Sequence, residues 1–60
     1  MFPQFDLFRV NEEDVPLWCS SADTFEEAEV KARTLAQASK RDYIIFNQET
    51  GNRVTIKPSD

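Results

Sequence analysis

Apolar residues change their spacing twice along this chain. From Phe5 to Val10, and again from Val15 to Ser20, they crowd into short runs rich in aromatic and β-branched side chains. From Phe25 to Ser39 they recur at three- and four-residue spacing, and short runs return over Tyr43 to Gln48 and Arg53 to Lys57. The short runs fit strands, and the middle stretch fits an amphipathic helix. The order predicts an α+β fold: a two-layer ββαββ domain, with one helix packed on one face of a four-stranded, mainly antiparallel sheet. A chain of 60 residues makes a single domain spanning 1–60.

The helix carries its own start signal. Thr24 stands where an N-cap belongs, and Glu27 completes a capping box. Glu26, Glu27 and Glu29 come early and Lys40 and Arg41 late, in the order the helix dipole favours. Phe25, Ala28, Ala32, Leu35, Ala36 and Ser39 form one stripe. Most of these are small, so the helix backbone should lie close to the sheet. Glu27 with Lys31, and Glu29 with Arg33, mark a solvated outer face.

The turns set the expected registers. Asn11-Glu12-Glu13-Asp14 reads as a hairpin loop closed by Val10 opposite Val15, which puts Phe8 opposite Leu17. Glu49-Thr50-Gly51 reads as a type I turn followed by a left-handed glycine, which pairs Gln48 with Asn52, Phe46 with Val54 and Ile44 with Ile56. Pro16 lacks an amide donor and makes the second strand an edge. Side chains alternate with period two. In these registers Phe8, Val10, Val15, Leu17, Cys19, Ile44, Phe46, Val54 and Ile56 meet the helix, and Cys19 lies opposite Asp6.

A second apolar set then falls on the opposite, open face: Phe5, Leu7, Trp18, Tyr43 and Ile45, with Arg9, Arg53 and Lys57 among them. Its aromatics can each bury ~150–250 Å², enough with the aliphatics to exceed the largest patch of an ordinary monomer. Phe2 and the arginine stems are its expected partial cover. Pro58-Ser59-Asp60 reads as a frayed end.

Composition narrows the partner. The net charge is −4, with 7 basic and 11 acidic residues. That balance argues against non-specific binding to nucleic acid or anionic lipid. No apolar stretch approaches the ~20 residues of a membrane span, and the N-terminus lacks a signal-peptide pattern. There is no histidine and one cysteine, which excludes an internal disulfide and the common zinc ligand sets. A lone thiol fits a reducing compartment, and the chain reads as cytoplasmic. The start at Met1 suggests a complete small protein. Small domains usually need a staple, and oligomerisation is the one left; an unusually well-packed core is the competing explanation, since many domains near this size fold alone.

The expected function is therefore a non-enzymatic protein-interaction or assembly module, homodimeric through the open face, without metal or cofactor. A nucleic-acid-binding domain using the same aromatic and basic face is the second expectation, since bases stack on aromatics while cations hold phosphates. Catalysis is not expected. Cys19 has no histidine to activate it, and Glu12-Glu13-Asp14 lacks a calcium-loop pattern.

The run Thr24-Phe25-Glu26-Glu27-Ala28, followed by Tyr43-Ile44-Ile45 and Thr50-Gly51, resembles small ββαββ proteins of bacteria and phages, many of them uncharacterised. In outline the chain is also similar to the sheet-reading DNA-binding domains of integrases, which are usually basic. Neither resemblance carries over a functional residue.

Overall fold

The structure is a computed structural model that describes residues 4–58. Phe2, expected to lean over the open face, and Ser59-Asp60, expected to fray, lie outside them. Strand β1 (Phe5–Val10) turns into β2 (Pro16–Ala22), followed by helix α1 (Phe25–Ser39), β3 (Tyr43–Asn47) and β4 (Arg53–Ile56). The sheet order is β2-β1-β3-β4, with every neighbouring pair antiparallel. Both β2 and β3 run against β1, so they are parallel to each other with β1 between them. Helix α1 carries the chain over one face of β1 from β2 to β3. The two-layer α+β architecture is the one the spacing predicts, and β2 lies at an edge as Pro16 requires.

The helix begins as its sequence directs. Thr24 is the N-cap, and its Oγ1 accepts the Glu27 N–H at 3.1 Å. The return bond of the box reaches one residue further back, from the Asp23 N–H to Glu27 Oε2 at 3.4 Å. The helix ends at Lys40, which adopts φ 58° and donates its N–H to the Ala36 carbonyl. On the outer side Lys31 pairs with Glu27 and Arg33 with Glu29, each at 3.4 Å. On the inner side Ala28, Ala32 and Ala36 are fully buried. With methyl groups at the fully buried positions of this stripe and Leu35 packed beside them, the sheet supplies most of the bulk of the core. Its largest fully buried side chains are Leu7 and Ile45, and Phe5 meets Phe25 edge-on with ring centroids 6.0 Å apart.

Both hairpins close one residue away from the expected registers. In the first, Asn11 pairs with Val15 through its N–H at 3.1 Å, and the loop shrinks to Glu12-Glu13-Asp14. Asp14 takes the left-handed conformation, φ 62°, that such a loop needs in its last position. Val10 therefore meets Pro16, and Phe8 meets Trp18. In the second, Asn47 donates its N–H to Asn52 at 2.9 Å, and the loop grows to Gln48–Gly51, with Gly51 at φ 80°. Phe46 then meets Arg53, and Ile45 meets Val54.

A one-residue slip turns a strand over. Phe5, Leu7, Tyr43 and Ile45, expected on the open face, are buried beneath the helix at 7, 0, 3 and 1% exposure. Phe8, Val10, Ile44 and Phe46 take their place on the open side, by strict alternation with those four. Arg9 lies on the helix side, paired with Tyr43 and Leu17. Cys19 is exposed rather than part of the core. It is the extra residue of a bulge: Phe8 pairs with Trp18 and Leu7 with Ser20. Asp6 pairs with Ser21 instead.

Candidate interaction face

The open face is a grid of three rows, set by the pairing. Ser21, Asp6, Phe46 and Arg53 cross the sheet in one row, from β2 to β4. Trp18, Phe8, Ile44 and Thr55 cross it in the next. Pro16 and Val10 begin a third. Apart from Asp6, the middle of the grid is apolar, because β3 and most of β1 alternate between two apolar sets, one for each face. Helix α1 covers only one of these faces.

Phe8, Pro16, Ile44, Phe46 and Arg53 line a shallow groove of about 200 Å³ on this face. Four of its five lining side chains are apolar, and the Arg53 guanidinium walls one end. Trp18 stands beside the groove on edge strand β2 and is 62% exposed, high for so large an apolar side chain. Its indole is held from below. Nε1 donates to Asp6 Oδ1 at 3.3 Å, and the Gln48 side chain donates to Asp6 Oδ2 at 2.6 Å. Asp6 thus ties edge strand β2 to the loop before β4 and fixes the direction in which Trp18 projects.

Of the residues expected on the interaction face, the structure keeps Trp18 and Arg53 there. Lys57 is exposed just past the end of β4. Phe5, Leu7, Tyr43 and Ile45 belong to the core, and Arg9 to the other side. The missed residues are Phe8, Val10, Ile44 and Phe46. A signal for them exists in the chain: each hairpin loop is preceded by an asparagine. Asn11 Oδ1 accepts the N–H groups of Glu13 and Val15, and Asn47 Oδ1 those of Glu49 and Thr50. An asparagine that bonds its own following backbone starts a turn. Placing both at the first position of their turns moves the closing residues to Asn11 and Asn47, while the number of residues in each loop, three and four, is set by the rest of the turn.

Polarity is concentrated at one end of the molecule. Arg9, Asn11, Glu12, Glu13 and Arg41 border an open hollow of about 320 Å³ at the first hairpin loop. Arg41 is already joined to Glu12 there at 2.6 Å, so that contact anchors the loop to the segment after α1. Among the described residues no group of three or more His, Cys, Asp or Glu is arranged to hold a metal ion. No helix among them is long and apolar enough to cross a membrane. Compared with known proteins, the chain matches no family model, no curated protein and no solved structure.

Proposed function

We propose that this protein is a non-enzymatic assembly module that associates with a second copy of itself through the open face of its sheet. The observation that carries this reading is the second apolar face, with Trp18 exposed at 62% beside a groove of Phe8, Pro16, Ile44 and Phe46. Water contact with such a face is unfavourable by about 25 cal/mol for each Å² of apolar area. A homodimer interface resembles a domain core cut in half, which is what a sheet with a helix on only one side offers. The lone thiol and the net charge of −4 suit a reducing, cytoplasmic setting.

The nucleic-acid reading loses support from the registers. Arg9 is on the helix side, and within the strands the open face keeps one cation, Arg53, balanced by Asp6. A face without net charge is a poor phosphate track.

Sedimentation equilibrium from micromolar to millimolar concentration tests the proposal. The wild-type chain should reach a dimer, and Ile44→Glu, which puts a carboxylate in the middle of the face, should remain a folded monomer by circular dichroism. A wild-type chain that stays monomeric throughout would refute self-assembly. A dimer indifferent to Ile44→Glu would move it to another surface.

A further inference from the structure

Resting on that open-face reading, we infer that two copies lock together by reciprocal insertion, the Trp18 indole of each entering the groove between Phe8, Ile44, Phe46 and Arg53 of the other. The groove and the knob are separate features of one face. At about 200 Å³ the groove is below the ~300–1,000 Å³ of small-molecule pockets, and it is the size for one large side chain. Trp18 is the large side chain left outside it, already oriented by Asp6 at 3.3 Å.

Symmetry brings the two together. A two-fold axis parallel to the strands lays the sheets face to face, close to the aligned packing of β-sandwiches. It carries β2 of one copy over β4 of the other and leaves each row facing itself. Trp18 shares its row with Ile44 and Thr55 at the opposite side of the sheet, so the indole of one copy descends on the groove side of the other. Arg53, at the groove wall, is placed to lie against the indole face, a favourable arrangement of a guanidinium on an aromatic ring.

Charge and area agree with this pairing. Asp6 and Arg53 share the first row, on β1 and β4. The same axis brings the Arg53 of each copy within one strand spacing of the Asp6 of the other, giving two opposite-charge pairs. Chains with a net charge of −4 repel one another, and here they would meet through a face whose strand charges cancel. The molecule measures 34 × 21 × 15 Å, so the outline of its broad side, roughly 700 Å², sets the upper limit of the face each copy offers, against ~800 Å² per partner in a standard interface.

The chain contains one tryptophan, so its fluorescence reports this contact directly. Dilution from dimer to monomer should move the emission of Trp18 from a buried to an aqueous wavelength. Trp18→Ala should weaken association roughly thirty-fold or more, as removal of a central aromatic anchor does. Trp18→Ala keeps the groove, and Ile44→Glu keeps the knob. Neither can form an insertion with itself, and mixing them restores one insertion and yields a heterodimer tighter than either variant's self-association, with circular dichroism verifying that both are folded. A dimer that Ile44→Glu dissociates, but whose Trp18 emission does not change on dissociation, overturns the insertion and leaves the open-face reading standing. A dimer indifferent to Ile44→Glu, or a monomer at every concentration, overturns both, whatever other protein or nucleic acid the face then binds.

Discussion

Ile44 and Ile45 are chemically identical neighbours with opposite positions. Ile45 is 1% exposed beneath α1, while Ile44 lines the groove on the open face. Truncating Ile45 to Ala removes three carbons from a closed core and should destabilise the subunit by ~2–5 kcal/mol. That is a large share of the ~5–15 kcal/mol that holds a whole domain. Ile44→Ala should leave the melting of an isolated subunit nearly unchanged and act on association instead. Chemical denaturation of the two variants, compared below the dimer dissociation constant, measures the difference. Equal losses would show that the sheet is not sided in this way. Residue identity alone could not make this distinction. The run Tyr43-Ile44-Ile45-Phe46 is apolar at every position, so the strand was legible in the sequence and its inner face was not.

At the scale of elements, the local chemistry was legible wherever a side chain closes its own backbone. Thr24 marks the helix start, the alanine stripe marks its buried side, and Pro16 marks an edge. Loop length was not legible, because one residue more or fewer at a hairpin changes little locally while reversing a whole strand. The left-handed residues pin the loops. Gly51 sits at φ 80°, and a Cβ added there meets no atom within 4 Å, so only backbone strain opposes substitution. Gly51→Ala should destabilise by about 1–2 kcal/mol without any clash. Asp14 occupies the corresponding position of the first loop at φ 62°. Asp14→Gly should therefore be neutral to stabilising, by up to about 1 kcal/mol. Thermal melts of the two variants should move in opposite directions, and parallel losses would contradict the assigned loops.

For the whole molecule, one helix and four strands bury one face of the sheet and leave the other wet. Stability and assembly are then linked by mass action, since a partner that binds only the folded chain raises its apparent stability. The melting temperature should climb with protein concentration for the wild type and stay flat for Ile44→Glu. Calorimetry over a hundred-fold range of concentration would measure it. A flat wild-type profile would mean that the folded chain needs no partner over that range. The two-layer architecture followed from the order of elements alone. The strand order did not, because the sequence joins the hairpins by a helix and does not say which strands become neighbours.

That strand order also governs the sequence of events in folding. The centre of the sheet is the pair β1 and β3, whose residues are separated along the chain by β2 and all of α1. Strand β1 can zip to β2 within microseconds, as local hairpins do. Its other edge stays open, with Leu7 uncovered, until β3 arrives after a long loop closure. That closure spans the whole of β2 and α1, so it is the slow step of forming the sheet. During that time the folding chain presents an unpaired strand edge beside unburied Phe5 and Leu7. The form of this protein with the most unpaired strand edge is therefore a transient one, present only until β3 docks on β1.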